Sequence, residues 1–141
     1  MKYILDSSVA VKWVLVEPYS DKANLLRDDF RNAIHELRSP DVFPVEVMHA
    51  LTKAERQKRI STNQGGILWA DVMATCPKLV PYLPLIPRAY DIASQLRIGI
   101  YDCLYVACAE EEKCELLTAD DKLLKNAQQQ FPFVRHLSTL P

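Results

Sequence analysis

The chain lacks the cysteine and histidine patterns that mark zinc sites, di-iron sites and nucleophilic catalytic centres. Among its 141 residues are four cysteines and three histidines, with no C-x-x-C pair and no zinc-like spacing between cysteine and histidine. The cysteines are expected to be small buried residues or free thiols in a reducing compartment. His49 follows Glu46 at the Glu-x-x-His spacing of di-iron proteins, but such a site needs two copies and the chain has one.

Long apolar runs are also missing. No stretch approaches the roughly 20 apolar residues of a membrane span. The N-terminal apolar run is interrupted by Asp6 and Lys12, and no small-residue cleavage site of an export signal follows it. Linkers, low-complexity segments and repeats are absent as well. These features predict a single cytoplasmic domain over residues 1–141. A chain of this length can bury about two-thirds of the surface that it exposes when unfolded.

What the chain does have is a set of aspartates at the ends of apolar segments. Asp6 ends the apolar run that opens the chain, Asp102 precedes the apolar run CLYVACA, and Asp120 follows a short apolar run that ends at Ala119. In an open α/β sheet, ligands bind in the crevice beyond the carboxyl ends of the strands. Any one of these aspartates alone is also compatible with a helix N-cap.

Glu46 is a fourth candidate acid. It lies near the start of a helix for which Pro44 is a suitable first-turn residue. If the four acids converged, each like-charged pair at about 5 Å and an effective dielectric of ~20 would cost roughly 3 kcal/mol. A divalent cation would remove that cost, and a set of oxygen ligands suits Mg²⁺ or Mn²⁺.

The motifs resemble those of the PIN domain, and in particular those of VapC-type toxin ribonucleases. Four segments carry the resemblance, in the family's order and across essentially the whole chain: Ile4-Leu5-Asp6-Ser7-Ser8, Pro44-Val45-Glu46-Val47, Tyr101-Asp102-Cys103-Leu104-Tyr105-Val106-Ala107 and Leu117-Thr118-Ala119-Asp120. The resemblance implies an α/β fold of three layers, with a central parallel sheet of about five strands, helices on both faces and the first strand in the middle. Asp6 and Asp120 would then lie at the ends of adjacent strands.

The alternation of elements independently favours a parallel sheet covered by helices on both faces. Strands are expected near residues 2–6, 40–43, 80–86, 115–119 and 133–137. A covering helix is expected after Ser20, with an apolar stripe that extends through Leu37. Further helices are expected from Pro44 to about Ile60, from Thr62 to about Thr75, and from Pro87 to Gly99.

The activity that the resemblance implies is metal-dependent endoribonuclease cleavage of RNA, leaving a 3′-hydroxyl and a 5′-phosphate. Asp6, Glu46, Asp102 and Asp120 would hold one or two Mg²⁺ or Mn²⁺ ions as the catalytic set. Ser8 and Thr118 carry hydroxyls near the same strand ends and could bond a carboxylate or a substrate phosphate. The resemblance further implies a cognate antitoxin as protein partner, and a homodimer is also possible.

Net charge is a weak guide to the substrate. The chain carries 17 basic and 18 acidic residues, a formal net charge of −1. Without the four candidate ligands, 14 acidic residues remain against 17 basic ones, a balance of +3. Such a surface is compatible with short contacts to RNA and insufficient for tight non-specific binding. The cations at the end of the Glu46 helix, Lys53 and Arg56 among them, either complement the helix dipole or contact phosphates.

Two other classes of function stay open. A magnesium-dependent phosphatase or phosphoacceptor domain would use one aspartate as nucleophile, but the Asp6 segment lacks a D-x-D arrangement. A phosphoacceptor domain should also have an acidic pair after its first strand, whereas the only comparable doublet here, Asp120-Asp121, is late in the chain. A catalytically silent module that binds RNA or protein would not need all four acids. The doublet also leaves the fourth acid uncertain by one residue. We expect Asp120 to face the metal and Asp121 to cap the following helix.

Overall fold

The computed structural model describes all 141 residues and has one five-stranded sheet in which every pairing is parallel. The strands are β1 (Lys2–Leu5), β2 (Glu36–Pro40), β3 (Lys78–Val80), β4 (Glu115–Thr118) and β5 (Val134–His136). Their order across the sheet is β3-β2-β1-β4-β5. The prediction that the first strand lies in the middle, beside the strand that leads to Asp120, is confirmed.

Seven α-helices cover the two faces of the sheet. They are α1 (Ser7–Ala10), α2 (Ser20–Arg31), α3 (Phe43–Arg56), α4 (Gln64–Met73), α5 (Ile86–Leu96), α6 (Ile100–Glu112) and α7 (Asp121–Ala127). Side chains alternate along β1, so Tyr3 and Leu5 enter the core beneath α2, α3 and α4, while Ile4 enters the core beneath α5, α6 and α7. The predicted three-layer architecture is therefore confirmed.

The predicted second strand, residues 40–43, is wrong. Strand β2 occupies Glu36–Pro40, and helix α3 already begins at Phe43. Ala33, Ile34 and Leu37 continue the helical spacing of the apolar residues in α2, and this pattern favours a longer helix. Helix α2 instead ends at Arg31, Ala33 adopts a left-handed φ of 58°, and Ile34 is 58% exposed. The segment becomes a strand because it pairs with β1. This pairing is a long-range effect that the local spacing of apolar residues does not predict.

The predicted third strand, residues 80–86, is also wrong. Strand β3 ends at Val80, and a short 3₁₀ helix over Leu83–Leu85 leads directly into α5. Pro84 and Pro87 lie in the first turns of these two helices, where their fixed φ is favourable and their missing N–H costs nothing. The prolines therefore start helices here and do not mark an extended edge.

Several helix boundaries also differ from expectation. Helix α3 ends at Arg56, four residues early, because Lys58 turns into the left-handed region at φ 59°. Helix α4 is confined to Gln64–Met73. Gly99 does not end α5, which closes on Arg97 at φ 56°, and is instead the N-cap of α6. No helix combines the length and apolarity that crossing a bilayer requires.

Candidate active site

Two neighbouring strand ends form the base of the site. Strand β1 pairs with β4, and the backbone N–H of Asp6, the residue after β1, donates to the carbonyl of Leu117 at 3.0 Å. Strand order reverses between these strands, since β2 and β3 lie on one side of β1 and β4 and β5 on the other. Such a reversal opens a crevice at the carboxyl edge of a parallel sheet.

The Asp6 carboxylate is held by two hydroxyls. Ser8 Oγ and Thr118 Oγ1 both donate to Oδ2 of Asp6, each at 2.7 Å. The two hydroxyls also accept backbone N–H groups, Ser8 from Ala119 and Thr118 from Asp120. This network joins the end of β1 to the turn after β4 and orients Asp6, which is only 4% exposed.

Ser8 and Thr118 thus bond a carboxylate, one of the two roles expected of them. For the other role, contact with a substrate phosphate, Thr118 would have to leave its present partners, because it is completely buried. In this structure both hydroxyls position the Asp6 carboxylate, and Ser8 alone keeps some exposed surface.

Asp120, and not Asp121, caps helix α7. Oδ1 of Asp120 accepts from the backbone N–H groups of Lys122 at 2.9 Å and Leu123 at 3.2 Å. The expectation that Asp121 supplies the cap is therefore wrong. Its side chain is 92% exposed and lies 3.3 Å from Nε2 of His136. The extended backbone of Asp120, at φ −87° and ψ 105°, is the N-cap conformation, and Asp121 is already helical.

Glu46 and Asp102 come from helices on opposite faces of the sheet. Glu46 lies in the first turn of α3, which packs against the core on one face of the sheet. Asp102 lies in the first turn of α6, which packs against the core on the other face. Gly99 is the N-cap of α6, and Asp102 makes no capping hydrogen bond. The alternative that Asp102 is a helix cap is excluded by this geometry.

The four carboxyl groups interact electrostatically. Burial raises the pKa of Glu46 to about 7, against the opposing effect of the nearby Tyr105 hydroxyl, and the charges of Asp6 and Asp102 add to the rise. Burial likewise raises the pKa of Asp102 to about 6, with further contributions from Asp6 and Asp120. The pKa of Asp6 is also raised, by burial first and by the charge of Asp120, although its bonds to Ser8 and Thr118 oppose the shift. Like-charge repulsion therefore acts between Asp6 and each of the other three acids, and between Asp102 and both Glu46 and Asp120.

The donor set at this site fits a hard divalent cation. Oε1 of Glu46 is buried and has no hydrogen-bond partner, so a carboxylate oxygen at the site has nothing in the protein to neutralise it. No three His, Cys, Asp or Glu side chains form a ready-made metal cluster. Mg²⁺ does not require such a cluster, because it keeps several waters and takes one or two direct carboxylates.

One residue of the site was missed by sequence reasoning. The hydroxyl of Tyr105 is the other buried side-chain atom without a hydrogen-bond partner, and it lies beside Glu46 and Ser7. Tyr105 follows Asp102 by three residues, one turn along the same face of α6. The available signal was its phenol, which interrupts the otherwise apolar run CLYVACA.

A groove of about 740 Å³ leads away from Glu46. Its lining includes Val45 and His49 of α3, Tyr82 before α5, and Ile100 and Tyr101 of α6. His49 is exposed in this groove and makes no contact that would identify it as a metal ligand.

Comparison with known proteins agrees with the fold. No curated protein matches the sequence significantly. The structure is similar to the crystal structure of PAE2754 from Pyrobaculum aerophilum, with 20% identity, a TM-score of 0.69 and coverage of 99% of this chain and 94% of the other. It is also similar to VapBC2 from Rickettsia felis bound to a DNA fragment from their promoter, with 16% identity, a TM-score of 0.64 and coverage of 96% and 97%. The family model of the PIN domain matches residues 3–129. Members of that family are generally nucleases, and the chain belongs to the PIN domain family.

Proposed function

We propose that the protein is a metal-dependent endoribonuclease that hydrolyses RNA phosphodiester bonds. The observation that carries the proposal is the group of four mutually repelling carboxyls, two of which have pKa values raised to about 7 and about 6. Mg²⁺ or Mn²⁺ would be held by Asp6, Glu46, Asp102 and Asp120, directly or through water. Bound there, a divalent ion would supply Lewis-acid chemistry, lowering the pKa of a bound water and neutralising charge on the phosphate.

The side chains have distinct parts in this proposal. Asp6 is the most firmly oriented acid, because one of its oxygens receives both the Ser8 and the Thr118 hydroxyl. Asp120 uses Oδ1 for the helix cap, which leaves Oδ2 available for a ligand. Glu46 and Asp102 approach from the two helical layers and complete the acidic group. This group would repel an anionic substrate until a bound cation neutralises the carboxylates.

RNA is supported as the substrate by the groove beside Glu46. Tyr82 and Tyr101 line it and are 42% and 57% exposed, so both rings are available for stacking with unpaired bases, which is how proteins commonly bind single-stranded RNA. The position of the groove would bring a neighbouring phosphate to the carboxyls.

The test is cleavage of a structured RNA in the presence of Mn²⁺, with and without EDTA. We expect products with 3′-hydroxyl and 5′-phosphate ends, and we expect EDTA to abolish their formation. Undiminished cleavage in excess EDTA, by a preparation free of contaminating nucleases, would contradict the metal-dependent mechanism. Absence of cleavage with intact Mn²⁺ binding would favour a silent binding module.

We further propose that the protein is the toxin of a toxin–antitoxin pair and is restrained by a small protein partner. The similarity to VapBC2 from Rickettsia felis over 96% of the chain supports this assignment. A basic side chain of the partner would inhibit most directly, because an arginine can pair in bidentate fashion with carboxylates that otherwise hold the metal.

Expression of this chain alone should arrest growth, and co-expression of the adjacent open reading frame should relieve the arrest. The matched control is the Asp102→Asn variant, which should cause no arrest with or without the partner. Normal growth on expression of the folded wild-type chain would favour a housekeeping nuclease over a toxin.

A further inference from the structure

Only two buried side-chain oxygen or nitrogen atoms in the molecule lack a hydrogen-bond partner, and both are at the candidate site. They are Oε1 of Glu46 and the hydroxyl of Tyr105. The residues belong to helices on opposite faces of the sheet, α3 and α6, and their side chains meet beneath the carboxyl edge of β1. Tyr105 has no exposed surface, so water does not satisfy its hydroxyl in this conformation.

A partnerless hydroxyl in a core is unfavourable, and phenylalanine would fill the same space without that cost. The polar atom of Tyr105 therefore calls for a function. Its surroundings narrow the choice, because Glu46, Asp6 and Ser7 are the polar groups that it faces. It lies one helical turn after Asp102, so a single face of α6 presents both an acidic ligand and this phenol to the site.

We propose that Tyr105 is a positioning residue whose hydroxyl donates to Glu46 when that carboxylate holds the divalent cation. One carboxylate oxygen would then be fixed by the protein and the other left for the metal. Hydrogen-bond donors behind a ligand orient it and tune its affinity, and their loss commonly weakens metal binding 10- to 100-fold. This inference rests on the proposed function, since it assigns Tyr105 a part in the same metal site.

The test compares Tyr105→Phe with Tyr3→Phe. Tyr3 is equally suited to the exchange, because it is 5% exposed and its hydroxyl has Sδ of Met1, at 3.8 Å, as its hydrogen-bond partner and none of the four carboxyls. Calorimetric titration of Mn²⁺ into each protein should give a dissociation constant raised about tenfold for Tyr105→Phe and unchanged for Tyr3→Phe. The metal-free melting temperature of Tyr105→Phe should be unchanged or higher, since the variant removes an unsatisfied buried group.

A second measurement reports on the hydroxyl directly. Adding Mg²⁺ to the wild-type protein should produce a tyrosine ultraviolet difference spectrum that Tyr3→Phe keeps and Tyr105→Phe loses. Unchanged Mn²⁺ affinity in Tyr105→Phe, or a spectrum that survives the substitution, would overturn the positioning role while the proposed function stands. Absence of Mn²⁺ binding by the wild-type protein would overturn the proposed function, and the role of Tyr105 with it.

Discussion

At the scale of single residues, Asp120 combines a structural and a proposed catalytic duty. Its Oδ1 satisfies two backbone N–H groups at the start of α7, and its charge acts on Asp6 and Asp102. Asparagine can supply the same cap without the charge, whereas alanine can supply neither. Substitutions at this one position therefore separate the two duties.

We expect Asp120→Asn to abolish metal-dependent cleavage with little change in the free energy of unfolding. Asp120→Ala should abolish cleavage and also cost about 1 kcal/mol, the usual effect of losing an N-cap. Asp121→Ala is the control and should leave both activity and stability nearly unchanged, because its side chain is 92% exposed. Urea unfolding and RNA cleavage measure the two effects. Loss of activity in Asp121→Ala with retention in Asp120→Asn would transfer the metal role to Asp121.

At the scale of elements, α3 carries both a candidate metal ligand and two exposed cations. Glu46, His49, Lys53 and Arg56 occur at spacings that place them along one helical face. Lys53 and Arg56 are exposed and form no salt bridge. With a rise of about 1.5 Å per residue, the face extends roughly 15 Å from Glu46 to Arg56. Both cations also lie in the last turn of α3, where they would complement its dipole whether or not they contact RNA.

The double variant Lys53→Gln/Arg56→Gln distinguishes these two roles. If the cations contact phosphates, KM for single-stranded RNA should rise while kcat and Mn²⁺ affinity stay the same. The dependence of log(kcat/KM) on log salt should become shallower by about 1.4, because each lost contact to a single strand contributes roughly 0.7. The control is Lys78→Gln/Lys113→Gln, which removes two exposed cations at the opposite edge of the sheet, where Lys78 begins β3 and Lys113 precedes β4. Equal salt dependence in the two double variants would assign Lys53 and Arg56 to the helix dipole alone.

At the scale of the whole molecule, the clustered carboxyls couple stability to pH. The pKa of Glu46 is raised from 4.5 to about 7 and that of Asp102 from 3.8 to about 6. The folded protein therefore binds more protons than the unfolded chain between these values. The stability that the two protonated groups contribute is fully present below their ordinary pKa values and is lost as pH rises through about 6 to 7.

We expect the metal-free protein to lose on the order of 2 kcal/mol between about pH 5 and pH 8. One pKa unit corresponds to about 1.4 kcal/mol, and contact of both side chains with water reduces the effect. Mg²⁺ should restore the lost stability at pH 8. Asp102→Asn removes one of the repelling charges, so it should lose less stability over the same range and gain less from Mg²⁺. Urea unfolding at each pH gives the comparison, and stability that stays level in wild-type protein would show that folding does not raise the pKa values of the carboxyls.

Much of the architecture and the four candidate acids could be predicted from the sequence alone. Apolar runs that end in a carboxylate are local features, so Asp6, Asp102 and Asp120 could be found without a structure, and Pro44 marked the first turn of the helix that carries Glu46. Alternation of strands and helices was enough for a parallel sheet. It was not enough for β2 and β3, because a segment such as Glu36–Pro40 becomes a strand only through its pairing with β1.

Only the tertiary structure decided which groups meet. The order β3-β2-β1-β4-β5 brings Asp6 beside Thr118 across 112 positions of sequence, and packing of α3 and α6 on opposite faces brings Glu46 to Tyr105. That Asp120 and not Asp121 caps α7 likewise depends on the backbone conformation at Asp120, which the identity of the two residues does not predict. The physical reason is common to all three. The local sequence governs which secondary structure a short segment prefers. Contacts between distant segments depend instead on how the buried faces of all the layers pack together.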